Sequence, residues 1–332
     1  MPSPVPPRYS LVIPIFNEEA VLPILLHRID RLLEQLDGPA EVIIVDDGST
    51  DAGGIVAAGR AKDDPRYRYV ALSRNFGHQV AISAGMDHAS GQAVVIMDAD
   101  LQDPPEVVHE LVAKWKEGYD IVSARRLSRS GESWFKRATA SAFYRLVRAL
   151  TSVDIPVDVG DFRLIDSKVL DAFCTMPERD RFVRGMFGWM GFRQTVVPFH
   201  RLPRSAGGTK YGWSKMMRLA VDGIISFSDI PLRLALWIGA GVSFAALAYG
   251  AYVTVLTLQG ASHLVSGWAS IIVLVSLLAG ANLLMTGIVG LYVGRIHTEV
   301  KNRPLYVVGR AVGFERGEAG RRGRPALARA AG

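Results

Sequence analysis

Two carboxylates one residue apart, Asp98 and Asp100, follow an apolar run at residues 93–97, and Gln102 adds a neutral oxygen two positions on. Carboxylates so spaced can chelate a hard cation, which prefers oxygen ligands. Taken alone, an Asp in this setting reads more readily as a helix N-cap ahead of Pro104 and Pro105. Acidic residues recur, however, where two upstream apolar runs stop. Residues 9–15 end in Phe16, Asn17, Glu18 and Glu19, and residues 41–45 end in Asp46, Asp47, Gly48 and Ser49. In an open α/β sheet the carboxyl ends of the strands border the crevice that binds ligands, so these groups would share one site.

A basic counterpart lies further along. Residues 201–210 read Arg-Leu-Pro-Arg-Ser-Ala-Gly-Gly-Thr-Lys, a loop in which backbone amides and the cations Arg204 and Lys210 could converge on phosphate; the alternative is an ordinary solvated turn. Residues 157–165 read as a strand interrupted by Asp161 and Arg163, charges that need partners or a role. His78, His88, His109 and His200 show no ligand spacing and are expected to be surface or core residues. The lone Cys174 excludes an internal disulfide and is expected to be buried and inert.

The elements that must position these groups alternate regularly. Strand patterns at residues 9–15, 41–45, 67–73, 93–97 and 120–124 are separated by helical patterns, the clearest with Leu22, Leu25, Leu26, Ile29, Leu32 and Leu33 at helical spacing. Five such units predict an α/β fold with a mostly parallel, doubly wound sheet. Residues 132–150 mix Trp134, Phe135 and Phe143 with Lys136, Arg137 and Arg145, as an amphipathic helix on a membrane would, or as a helix packed on the sheet with a basic outer face. Residues 194–198 predict a last short strand, and residues 213–227 an interfacial helix.

Charge is distributed unevenly over the 332 residues. From Leu234 to Gly294 there is no Asp, Glu, Lys or Arg, which accounts for the mean hydropathy of +0.19. Residues 234–258 and 268–293 are each long enough, at about 1.5 Å per residue, to cross a hydrocarbon core of roughly 30 Å. Arg233 before this hairpin and Arg295, Lys301, Arg303 and Arg310 after it place both ends in the cytoplasm. The opening Met-Pro-Ser-Pro-Val-Pro-Pro has no signal-peptide pattern, which agrees with a cytoplasmic first domain. The net charge of +6 sits beside the apolar segments and in the Gly-, Ala- and Arg-rich end at residues 313–332, expected to be disordered. Anionic lipid, rather than nucleic acid, is the expected partner. The organisation predicted is a catalytic domain at residues 1–205, a phosphate-binding loop and juxtamembrane helix at 206–231, two membrane helices within 232–294 and a cytoplasmic basic tail at 295–332, in a multi-pass protein of the inner (cytoplasmic) membrane.

Together these features suggest chemistry on a diphosphate. A cation on Asp98, Asp100 and Gln102 would stabilise the diphosphate as a leaving group, with Arg204 and Lys210 on its other side and with Glu18 and Asp47 accepting hydrogen bonds from a base and ribose.

Pro14-Ile15-Phe16-Asn17-Glu18, Val45-Asp46-Asp47-Gly48-Ser49 and Asp98-Ala99-Asp100-Leu101-Gln102-Asp103-Pro104-Pro105-Glu106, in that order, closely resemble the polyprenyl-phosphate glycosyltransferases of glycosyltransferase family 2. The likeness runs over about residues 9–303. It implies a Rossmann-like catalytic domain of the GT-A type. It also implies nucleotide-sugar contacts from Pro14, Phe16, Glu18, Val45, Asp47, Asp98, Ala99, Arg125, Arg204 and Lys210, with Mg2+ or Mn2+ on Asp98, Asp100 and Gln102. Residues 131–144, with Gly-Glu-Ser-Trp-Phe-Lys, and the Gly160–Leu164 motif look most like the bacterial undecaprenyl-phosphate glucosyltransferases with two membrane helices. The resemblance implies a single inverting displacement by a polyprenyl phosphate, UDP-glucose as first donor and GDP-mannose as second, as in dolichol-phosphate mannose synthases. Asp161 would act catalytically with Asp100, by orienting a substrate more than by removing a proton, or would be a structural partner of Arg163. Arg129 and Arg137 are candidates for the lipid phosphate, and the membrane glycines Gly287, Gly290 and Gly294 would permit a homo-oligomer. A processive polysaccharide synthase is the enzymatic alternative, but the chain lacks the Gln-x-x-Arg-Trp signature similar synthases display; the non-enzymatic alternative is a membrane-anchored nucleotide-binding scaffold.

Overall fold

The computed structural model describes residues 6–127, 159–179, 181–200, 230–259 and 267–314. Arg129, Arg137, Arg204 and Lys210, the two expected amphipathic helices and the chain beyond residue 314 lie outside the described residues. The chain divides into two compact units.

In chain order the first unit runs β1 (Tyr9–Ile15), α1 (Leu22–Gln35), β2 (Ala40–Asp46), α2 (Gly53–Asp63), β3 (Tyr67–Leu72), α3 (His78–His88), β4 (Ala93–Ile96), α4 (Val108–Lys116), β5 (Ile121–Arg126), β6 (Val159–Asp166), α5 (Ser167–Thr175), α6 (Val183–Trp189) and β7 (Gln194–Phe199). The second contributes α7 (Ile230–Leu258) and α8 (Trp268–Val300), after which β8 (Val308–Val312) belongs again to the first.

The eight strands form one sheet in the order β7-β5-β6-β4-β1-β2-β3-β8. All of β1 is buried, because helices cover both faces of a parallel sheet and leave no polar side to alternate with. Leu22, Leu25, Leu26, Ile29, Leu32 and Leu33 are the buried face of α1, as their spacing predicts. β2 flanks β1 on one side and β4, reached from β3 through α3, flanks it on the other, so β1 is where the winding reverses and a crevice opens at the strand ends.

Two strands run against the rest. β6 lies antiparallel between β4 and β5, pairing Ile96 with Arg163. Beyond the last paired residues Asp161 and Asp98 come near enough for His78 Nε2 to lie 3.3 Å from one and 3.4 Å from the other. β8 pairs antiparallel with β3 and covers what would otherwise be an open edge. The strand expected to be last, β7, is therefore followed by another, whose short Val-Gly-Arg-Ala-Val run gives too little alternation to announce itself.

In the second unit, α7 has 29 residues and α8 has 33. Among the described residues one stretch, Leu277–Val300, is long and apolar enough to cross a membrane; the apolar part of α7, Ala235–Tyr249, is shorter. Leu236, Trp237, Phe244, Leu247 and Leu283 are exposed, the reverse of a soluble core. Gly239 of α7 meets Met285 of α8, whereas a Cβ at Gly287, Gly290 or Gly294 would meet nothing within 4 Å.

Candidate active site

The loops after β1 and β2 are stapled together. Asn17, at φ +56, donates its amide to Ser49 Oγ (3.0 Å), and its Oδ1 accepts from the Thr50 amide (2.8 Å). Asp51 Oδ2 accepts from the Glu19 amide and Glu19 Oε2 from that of Ala52. This leaves Phe16 half-exposed at the rim and Glu18 half-buried, above the buried Pro14 and Val45. Gly48 has φ +73, and a Cβ there would lie 2.6 Å from the backbone of Arg74 and Asn75; only glycine lets the next loop approach.

That loop is held from below by Asp47, whose two oxygens accept from the amides of Phe76 (2.7 Å) and Gly77 (2.9 Å). Burial raises the Asp47 pKa even against those two bonds. Of the groups proposed for the nucleotide, Asp47 is therefore first a support for the chain entering α3.

Asp98 follows β4 and is partly buried; its Oδ1 has no hydrogen-bond partner among the described residues. Burial raises its pKa. Ala99 is buried, and Asp100 Oδ1 accepts from the Gln102 amide at 3.1 Å. This tight return needs Leu101 at φ +58, an uncommon backbone for a side chain, held by burying that side chain. Among the described residues no three His, Cys, Asp or Glu form a ready metal cage. Mg2+ does not require one, since it is commonly held by one or two carboxylates plus substrate phosphates and water. Asp98 Oδ1, buried and without a hydrogen bond although His78 Nε2 lies 3.4 Å away, and the neighbouring Asp100 carboxylate fit such an ion.

Asp161 stands next to this pair and is almost fully buried. Arg184 of α6 grips it through Nε to Oδ1 at 2.8 Å and Nη2 to Oδ2 at 3.0 Å. Gln79 Nε2 donates to Oδ2 at 3.2 Å, and His78 Nε2 lies 3.3 Å from Oδ2 and 3.4 Å from Asp98 Oδ1. Burial would raise the Asp161 pKa, but the bonds from His78 and Arg184 hold it well below the carboxylate range. Burial disfavours the His78 imidazolium, yet Asp161 and Asp98 outweigh it and raise its pKa. Arg163 does not bond Asp161: its Nη2 donates to the Gly160 carbonyl at 2.8 Å and its guanidinium lies over Phe187. Burial pulls Arg163 down to about 10, still a cation at neutral pH.

Several partners escaped the sequence pattern. His78, expected to be a surface or core residue, bridges Asp161 and Asp98; Arg184 and Gln79 carry no spacing signal because they reach the site from helices distant in the chain. At the end of β5, Arg125 is exposed, while the half-buried Arg126 lies 4.0 Å from Asp103 and beside Gly160, where a Cβ would sit 2.8 Å from its Nη2. Arg126 also acts electrostatically on Asp98. Of the two arginines it is the one drawn towards the acidic loop.

Residues 10–173 match the model of glycosyl transferase family 2. The chain is 46% identical over 308 residues to an uncharacterized glycosyltransferase, YkcC, of Bacillus subtilis, covering 93% of this chain and 95% of that protein. It is 40% identical to a prophage-derived bactoprenol glucosyl transferase of Shigella flexneri (91% and 97% covered) and 38% identical to a prophage bactoprenol glucosyl transferase homolog of Escherichia coli (91% and 99%). Glucosyl-3-phosphoglycerate synthase of Mycobacterium tuberculosis, solved with Mn2+ and UDP, is similar at 19% identity and a TM-score of 0.44 over 66% of this chain and 78% of that one, too distant to bear on metal or donor here. The chain belongs to glycosyl transferase family 2. It is a glycosyltransferase, and its relatives match it over more than nine-tenths of its length rather than over the catalytic unit alone.

Proposed function

We propose that this enzyme moves a hexose, glucose before any other, from a nucleotide sugar to a polyprenyl phosphate in a membrane. The observation that carries the reading is the match to bactoprenol glucosyl transferases over nine-tenths of both chains, apolar helices included. UDP-glucose is the first donor and GDP-mannose the second.

In this reading Phe16 packs on the base, with Pro14 and Val45 below it and with Glu18 and Asp47 offering acceptors to the nucleoside. Asp98 and Asp100, with Gln102, would hold Mg2+ or Mn2+, which when bound neutralises the diphosphate as it leaves. Arg126, or Arg125, together with Arg204 and Lys210 would bind the donor phosphates, and Arg129 and Arg137 the lipid phosphate. A phosphate oxygen of the lipid attacks the anomeric carbon, and the bond from that carbon to the nucleoside diphosphate breaks with inversion. A phosphate monoester with a second pKa of about 6 is already largely dianionic at neutral pH, so no strong base is required. Asp161, ionised and gripped by Arg184, suits orientation of a substrate better than proton removal. Helices α7 and α8 are proposed to form a membrane hairpin with the catalytic unit and both chain ends on the cytoplasmic side, an arrangement compatible with a homo-oligomer.

The test is transfer itself. Detergent-purified protein is incubated with undecaprenyl phosphate, Mn2+ and labelled UDP-glucose, GDP-mannose or UDP-N-acetylglucosamine. Chloroform-soluble label from UDP-glucose, abolished by EDTA, is the expected result. Label only from GDP-mannose would make it a mannose transferase, and none from any donor would favour a nucleotide-binding scaffold.

A further inference from the structure

Gln79 occupies the second position of α3, directly after the loop that Asp47 holds by the amides of Phe76 and Gly77. Its side-chain amide is used at both ends. Nε2 donates to Asp161 Oδ2 at 3.2 Å, and Oε1 accepts from the backbone amide of Val183, the first residue of α6, also at 3.2 Å. The next residue of that helix, Arg184, is the one that grips Asp161. A triangle results: α3 holds α6, α6 holds Asp161, and Asp161 is held back to α3.

We propose that Gln79 is a positioning residue for the transfer, fixing the Asp161–Arg184 pair in one orientation and tying it to the loop that Asp47 supports on the donor side. The inference rests on the glycosyl-transfer reading above only for its kinetic consequence. Glutamine is the residue type the geometry calls for. It presents one donor and one acceptor in a plane, whereas Glu offers no donor when ionised and would set a second negative charge against Asp161. Asn is one methylene too short to span the same two partners. Arg184 alone fixes the plane of the carboxylate by its two parallel bonds, but α6 is only seven residues long, and the side-chain contact from α3 to its first amide is the one Gln79 makes. His78 also faces Asp161 Oδ2, and Arg163 lies buried nearby, so the carboxylate has cations on more than one side; Gln79 supplies the neutral contact that selects among orientations without adding charge.

Two variants and two kinds of readout test this. Gln79→Leu keeps the volume and removes both bonds. Its turnover should fall about tenfold, the equivalent of one buried hydrogen bond, while KM for UDP-glucose stays within about twofold. Gln79→Glu should fall further, by about a hundredfold, because of like-charge repulsion. Independently of any substrate, hydrogen exchange of the Val183–Phe187 amides should quicken by about fivefold or more in Gln79→Leu, since the Val183 amide loses its acceptor. Unchanged exchange at Val183, or a change confined to KM, would overturn the proposal. If wild-type protein transfers no sugar to undecaprenyl phosphate, the functional reading fails, while the exchange measurement still decides whether Gln79 holds α6.

Discussion

Arg184 holds Asp161 by two parallel hydrogen bonds, at 2.8 and 3.0 Å, and so converts an apparently isolated charge in a buried strand into half of an ion pair. Removing the arginine strips the buried carboxylate of its two charge-assisted bonds and leaves it only the weaker contacts of His78 and Gln79. Arg184→Met should therefore cost about 3 kcal/mol of stability, at the lower end for a buried pair because the arginine side chain is itself one-third exposed. The sign with pH follows from the depressed Asp161 pKa. The pair's contribution is fully present above the ordinary Asp value of about 4 and declines only as pH falls below it. Thermal unfolding of wild type and variant should converge in acid and diverge near neutrality; parallel curves at all pH values would count against the pair.

Asp161→Asn tests the chemical role of the same residue. Turnover should be largely lost with donor affinity retained, measured by steady-state transfer and by UDP-glucose titration. Unchanged turnover would remove Asp161 from the reaction.

At the acidic loop, Asp100→Ala should lower transfer by about two orders of magnitude and abolish the response to Mn2+, since one of two carboxylates proposed for the ion is gone. Retention of both rate and metal dependence would exclude the assignment.

Arg125 and Arg126 separate cleanly by exposure. Arg126→Ala should reduce kcat/KM for the nucleotide sugar by about tenfold to a hundredfold, the worth of a charge-assisted hydrogen bond, while Arg125→Ala should have a much smaller effect. Gly160→Ala is the companion experiment. Its Cβ would meet the flexible tip of Arg126 rather than backbone, so the protein should fold yet share part of the Arg126→Ala defect. Equal losses from both arginines would refute the distinction.

Strand β8 offers a test of the returning chain end. Tyr306 donates to Asp87 Oδ2 at 2.9 Å, and the Ser73 amide donates to the Val307 carbonyl at 2.8 Å, so the segment clasps both β3 and the end of α3. Tyr306→Phe should weaken this clasp by about 1 kcal/mol, seen as roughly fivefold faster hydrogen exchange in β8. No change in β8 exchange would mean that the backbone ladder suffices.

The sequence by itself determined the alternation of strands and helices, the acidic groups at strand ends and the long uncharged stretch, because each is a local pattern: an apolar run, a helical period, an Asp-x-Asp. The family was legible for that reason, and the proposed roles of Asp98 and Asp100 rest on the same local pattern. Tertiary structure alone decided the rest. β6 entered the sheet antiparallel between β4 and β5 and brought Asp161 near Asp98, although about 60 residues of chain separate them. Arg184, Gln79 and His78 became partners of one carboxylate because three elements meet over it, and Arg126 rather than Arg125 turned inward because strand faces alternate and Gly160 left room. β8 was hidden for the opposite reason: five residues of weak pattern become a strand only when an unpaired edge of β3 stands ready to bond them.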